Sequence, residues 1–332
     1  MTVRMRWVAL AIVVAVVLSG ATAYGVSAYL GRGAPSAVSA AATRVQVPAG
    51  PRIVFRNTTP GAGYGLVAAV PLDNPAAPRA ITDQACDRVY ATRQYLSCLL
   101  IKRGVVTTFE ADLFDRAGER QGSWPLPGIP SRTRISPDSR LVASTAFITG
   151  MAYATVGFST QTVIRGTDGH DYGNLEDFTT VIGGKTLTVA DRNFWGVTFG
   201  ADDNVFYATA ASGGHTWLVR GDLAQRTLTG IRDGVECPSL SPDGTRIAFK
   251  KNVSSGPVSH WAIAVLDLAT GAETVLDEKR SVDDQVEWLD NGTLLYGLPR
   301  TDAPGDSDVW SVAIGSEPTV FIPHAWSPSV VR

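Results

Sequence analysis

Histidine, cysteine and methionine are scarce in this chain: 332 residues carry four His, three Cys and three Met. His170, His215, His260 and His324 lie far apart with no ligand spacing, so they are expected in solvated loops and no histidine-based metal centre is expected. No G-x-S-x-G elbow occurs. Gly157-Phe158-Ser159 runs on into Gln161, which leaves Ser159 as strand surface rather than a hydrolase nucleophile. Gly183-Gly184-Lys185-Thr186 resembles the end of a phosphate-binding loop, but Thr179 stands where the earlier glycine is required, so this is a turn. Asp168-Gly169-His170-Asp171 is rich in oxygen ligands and lacks the later Glu of an EF-type calcium loop. No cofactor is therefore expected, and no catalytic residue is assigned.

An excess of positive charge is also missing. Residues 1–50 hold four Arg and no acid, which leaves 25 basic against 31 acidic residues in the remainder. A nucleic-acid partner is excluded on that balance, because such sites need a basic face to displace counterions. Arg4 and Arg6 precede an uncharged run of 24 residues, Trp7 to Leu30, long enough to cross a bilayer once with the amino end inside. The alternative is a cleaved signal peptide with Ala21-Thr22-Ala23 at the cleavage site. Either way the rest of the chain is extracytoplasmic, at the cell membrane or secreted. Residues 31–50 are mostly Ala, Gly, Ser and Pro with two Arg, a composition that buries too little to fold and reads as a linker. The expected organisation is an anchor or signal segment over 1–30, a linker over 31–50 and one folded unit over 51–332.

Long amphipathic helices are not evident either, and what stands in their place is repetition. Leu240-Ser241-Pro242-Asp243-Gly244-Thr245-Arg246-Ile247-Ala248-Phe249 is an apolar-flanked turn followed by an alternating strand. Copies of it are centred on Asp138, Asp202 and Asn291, with a degenerate one at Thr92, so successive gaps are 46, 64, 41 and 48 residues. A period of roughly 40–50 residues with an Asp-Gly or Asn-Gly turn is that of a four-stranded propeller blade. The fifth blade reads as Glu236 to Ser241, Thr245 to Lys251, Trp261 to Leu268 and Glu273 to Leu276. The N-terminal piece supplies three strands only, Arg52 to Arg56, Leu66 to Val70 and Arg79 to Thr82. Ala325-Trp326-Ser327-Pro328 matches the segment leading into Pro242, so the C-terminal strand is expected to complete that blade and close a ring of six. The fold class is thus all-β, a six-bladed β-propeller.

Cys86 and Cys98 flank the degenerate turn, where antiparallel pairing brings them within reach of a disulfide suited to an oxidising compartment. Cys237 is expected as a buried free thiol.

Ser-Pro-Asp-Gly-Thr-Arg-Ile-Ala-Phe in this register resembles the repeat of TolB-type propellers over about residues 50 to 332. The resemblance implies an envelope protein that binds other proteins through the faces of its propeller, without catalysis of its own. The family's type member has an α/β domain before its propeller, whereas here a short linker follows the apolar run. The chain looks more like membrane-anchored TolB-like propellers of high-GC Gram-positive bacteria. A monomeric propeller is expected.

The starts of the innermost strands should rim a central funnel. They draw on Arg88, Arg132, Arg134, Asp191, Asn193, Glu236, Asp283, Asp284 and His324, with bases from blades two and three and acids from blades four to six. One use of that ring is to bind a zwitterionic segment of an envelope protein or peptide; the other is inter-blade ion pairing. A second candidate is the 64-residue gap, which holds extra residues within Gly166 to Asp191 before Trp195, itself expected in a blade core. Two functional classes follow. The first is a non-catalytic, protein- or peptide-binding scaffold. The second is a small-ligand sensor or metal-dependent enzyme of lyase or lactonase type that uses Glu236, Asp283 and Asp284. Convergence of those carboxylates on one point would favour the second, and an Arg partner for each would favour the first; Arg pairing is expected.

Overall fold

The computed structural model describes residues 47–148 and 159–332, together with Arg4, Met5, Trp7, Val17 and Gly20. Almost all of the apolar run Trp7 to Leu30 and of the linker therefore lies outside the described residues. No helix among the described residues is long and apolar enough to cross a membrane.

Residues from Arg52 onward form six sheets in sequence order, antiparallel except for one parallel pair at the outer side of the fourth. Blade one takes β1 (Arg52–Asn57), β2 (Leu66–Pro71) and β3 (Ala80–Ala85). Blade two is β4 (Arg88–Ala91), β5 (Tyr95–Lys102), β6 (Thr108–Asp115) and β7 (Arg120–Leu126), and blade three is β8 (Ile129–Ile135), β9 (Leu141–Ile148), β10 (Ser159–Gly166) and β11 (Asp171–Asn174). After a single 3₁₀ turn and a hairpin of β12 (Thr179–Ile182) and β13 (Lys185–Thr186), blade four runs through β14 (Asn193–Phe199), β15 (Val205–Ser212), β16 (His215–Asp222) and β17 (Thr227–Asp233). Blade five is β18 (Glu236–Leu240), β19 (Arg246–Asn252), β20 (Trp261–Asp267) and β21 (Glu273–Val275). Blade six is β22 (Glu287–Trp288), β23 (Thr293–Pro299), β24 (Ser307–Ala313) and β25 (Thr319–Ile322).

The last strand, β26 (Ala325–Val331), returns to blade one and pairs antiparallel with β1, so that Arg52 faces Val331 and Asn57 faces Ala325. The expected closure is present. It is supported by a shared core in which Ile53, Phe55 and Val70 of blade one pack with Leu295, Val309 and Ile322 of blade six around Ala325 and Val330. A buried apolar cluster fills every other junction of the ring as well. Strand alternation makes this possible, because each sheet is apolar on both faces and buries each against a neighbouring blade. Trp326 of β26 lies against Gly297 so closely that a Cβ there would come within 2.3 Å of the indole.

The repeat turns are tight hairpins, as expected. Gly244 takes φ +71, the left-handed region its Asp-Gly sequence supplies, and Ser139 holds φ +66 at the equivalent place in blade three. Its hydroxyl meets that of Thr92, 2.7 Å away in the turn of blade two. Cys86 and Cys98 form the disulfide, and Cys237 is a buried free thiol. The extra residues of the long gap extend blade four outward: β12 lies parallel to β17, and β13 forms the outer edge. Trp195 is buried, as expected of a blade residue.

Candidate functional site

Innermost strands all run in one direction, so the barrel axis has two distinct mouths. One collects the beginnings of those strands and is called here the start face. The other collects the repeat turns that follow them, the turn face.

At the start face the charged ring forms a stack of ion pairs across the axis. Lys250 of β19 pairs with Asp283 and lies 3.6 Å from Glu236. Below it Asp284, 2% exposed, accepts from Arg88 at 2.9 Å and faces Arg132 at 3.8 Å. Deeper again, Arg134 pairs with Glu287 and donates to the Val286 carbonyl at 2.6 Å and the Ser239 hydroxyl at 3.1 Å. Aromatic faces back the cations: Arg134 lies over Tyr90 at 4.7 Å and Arg88 over Trp326 at 4.8 Å. Bases of blades two and three thus reach acids of blade six directly, and the lopsided charge seen in the sequence is neutralised in place. The space left between Arg88, Arg132, Arg134 and Asp284 is about 20 Å³, the size of one water.

Three residues expected in the ring are held elsewhere. His324 binds Asp306, Nδ1 to Oδ2 at 2.6 Å, between blades six and one. Asp191 accepts from the Ser212 hydroxyl and the Gly213 amide, both at 2.8 Å, in its own blade. Asn193 Oδ1 accepts from the Thr160 amide at 2.8 Å and so joins β14 to β10 of blade three. Two members of the stack, Lys250 and Glu287, were not expected from the sequence. Lys250 stands in a second strand beside Lys251, and Glu287 lies in a strand of only two residues; neither context marks an axial position.

Glu236 and Asp283 respond oppositely to this setting. Burial raises the Glu236 carboxyl, and Lys250 offsets it only in part. Burial also works upward at Asp283, but Lys250, Arg132 and Arg88 outweigh it and hold the carboxyl below the usual range. Asp283 therefore stabilises the fold above its unfolded value of ~3.9 and ceases to as pH falls through its lower folded value. Glu236 makes its full contribution below ~4.3 and loses it as pH rises through its raised folded value. The gap in Tm between Glu236→Gln and the parent is expected to move in favour of the variant from pH 4.5 to pH 8. A gap that is flat or moves the other way would mean that Lys250 fully compensates the buried carboxylate.

The open space lies at the other mouth. A cavity of about 650 Å³ is framed by the repeat turns of blades two to five and by the ends of the innermost strands. Its floor is Tyr90, Trp288 and the Arg134–Glu287 pair. Leu240, Pro137 and Pro242 form walls, and Arg93, Arg332, Asp138 and Asp243 stand at the rim. The sequence reading placed the funnel at the start face, and the larger concavity is at the turn face. The repeat turns were the available signal, since five copies of one hairpin must converge on one end of a closed ring.

These features define a six-bladed β-propeller closed by its C-terminal strand. Its architecture is that of TolB propellers. It superposes on TolB from Acinetobacter baumannii with a TM-score of 0.57 at 16% identity, covering 85% of this chain and 67% of that one. For a TolB of Agrobacterium tumefaciens the values are 0.51 and 13%, covering 82% of this chain and 88% of that one. At these identities the likeness establishes the fold alone. No protein-family model matches the sequence, and no curated protein matches it.

Proposed function

We propose that the protein is a non-catalytic, extracytoplasmic TolB-like propeller that docks a segment of an envelope protein or peptide in its turn-face cavity. The Trp7 to Leu30 run tethers it to the membrane in this reading. One observation carries it: the axis is sealed by neutralised ion pairs at the start face and open as a 650 Å³ cavity at the turn face. Such a dead-end pocket, part apolar and part polar, suits a side-chain-bearing segment. The TolB-type repeat points to the same class of partner. The rival use of Glu236, Asp283 and Asp284 as a metal site or acid–base pair finds no support in their placement, because each is turned onto Lys250, Arg88 or Arg132.

The test is a photo-cross-linking amino acid placed at Gln94 on the cavity rim, compared with one at Val275 on an outer strand, in the native envelope. A discrete protein adduct from position 94 and none from position 275 is expected. Identical adduct patterns at the two positions, or none at either, would remove the docking reading.

A further inference from the structure

Four arginines gather on the turn face where blades one and two meet. Arg52 opens β1 opposite Val331, next to Arg332. Arg93 lies in the hairpin between β4 and β5 and Arg116 in the hairpin between β6 and β7, at one end of blade two because Tyr95 pairs with Asp115. Arg93 Nε donates to the Arg332 carbonyl oxygen, and the charges of Arg116 and Arg93 both bear on Arg52. Arg93, Arg116 and Arg332 are exposed.

Among the described residues, none of the four pairs with an aspartate or glutamate side chain. This contrasts with the start face, where every axial acid has a base. The acids across the cavity mouth are already committed within their own turns, Asp138 to Ser136 and Arg140, and Asp243 to Ser241 and Thr245. The cavity rim therefore has saturated carboxylates on one side and, on the other, Arg93 and Arg332, whose partners are main-chain oxygens rather than acidic side chains, with Arg52 and Arg116 beside them outside the lining. Arg52 Nε is buried without a hydrogen-bond partner among the described residues. Guanidinium forks match carboxylates in geometry and charge, and a like-charged cluster gains most from an incoming anion.

We propose that the cavity selects an acidic peptide segment, seating its carboxylates on Arg93 and Arg332 at the rim and on Arg116 just beyond it, and its apolar side chains against Leu240, Pro137 and Pro242. This rests on the docking reading above and adds the chemistry of the partner. A concave, partly apolar pocket beside the cluster favours a peptide over a flat anionic membrane, which would meet the rim and leave the pocket unfilled.

The experiment is fluorescence anisotropy on the full chain in detergent micelles, with a labelled twelve-residue peptide of alternating Leu and Glu and its Leu and Gln counterpart. The Glu peptide is expected to bind about tenfold more tightly, with affinity falling as salt rises. Arg93→Gln with Arg116→Gln, both exposed and verified as folded by circular dichroism, should bring it down to the level of the Gln peptide. Equal binding of the two peptides overturns the acidic preference and leaves the docking reading standing. Binding of neither overturns the proposal, while the cross-link at position 94 still decides the docking reading. Displacement of the Glu peptide by dihexanoyl phosphatidylglycerol below its micelle concentration, at lower concentration than unlabelled peptide needs, would make this a lipid headgroup site and overturn the proposal too.

Discussion

Replacing Glu287 by alanine is expected to destabilise the propeller by about 3–5 kcal/mol, read as a fall in the urea midpoint at pH 7. Arg134 is 6% exposed and Glu287 4% exposed. Burial alone would lower the Arg134 guanidinium, yet Glu287 and Tyr90 outweigh it and hold it above the usual range. Removing the carboxylate leaves a buried cation with no anion of its own, and only the Val286 carbonyl, the Ser239 hydroxyl and the Tyr90 ring remain to face it. Removing both charges, as Arg134→Leu with Glu287→Leu, should recover most of the loss, because a buried pair gains little over apolar residues of similar size. A single variant as stable as the parent would show that Arg134 can reach water through the cavity floor. A double variant as unstable as the single one would show that the pair itself, rather than the orphaned charge, carries the energy.

Deletion of residues 325–332 is expected to abolish the monomeric fold. The strand lost contributes the fourth member of blade one and, through Ala325 and Val330, part of the core between blades six and one. It also carries two serines that fasten blade one to blade two: Ser329 Oγ donates to the Ala91 carbonyl and Ser327 Oγ to the Val89 carbonyl, each at 3.0 Å. Its removal bares the whole inner edge of β1, an unpaired apolar strand that invites association with other chains. Size-exclusion chromatography with circular dichroism should show soluble aggregate or loss of the cooperative transition. A monomer with the parent's Tm would mean that the ring holds without its closing strand.

Much of the architecture was legible because it is periodic. The Asp-Gly turn at Asp243-Gly244 and its relatives counted the blades, and the Trp326-Ser327-Pro328 echo of the motif predicted where the ring closes. The Cys86–Cys98 pairing was expected because the two flank one turn; in the structure Cys98 faces Val89 across the hairpin, and Cys86 reaches it from the segment between β3 and β4. The functional surface was less legible, for a reason of distance. Arg134 and Glu287 are 153 residues apart and Arg88 and Asp284 are 196 apart. Which charges meet across an axis depends on how far each side chain projects from its strand, and alternation does not report that. His324, Asp191 and Asn193 occupy the right positions along the chain, yet each is taken up by a partner at the rim. The arginine cluster was hidden for a similar reason, since its members sit in four turns or strand ends that only the closed ring brings together.

The joining of the two chain ends in blade one also governs when the site comes into being. Blades two to five are local meanders whose hairpins can form as soon as their own residues leave the ribosome. Ser327, Ser329 and Arg332 meet residues roughly 240 positions earlier, so the contacts that β26 makes require loop closure on the longest scale. The part of the cavity lined by Val330, Val331 and Arg332 therefore depends on closure of the ring. A chain halted before its final strand would hold every blade but the first complete and leave the cavity open on the side of blade one.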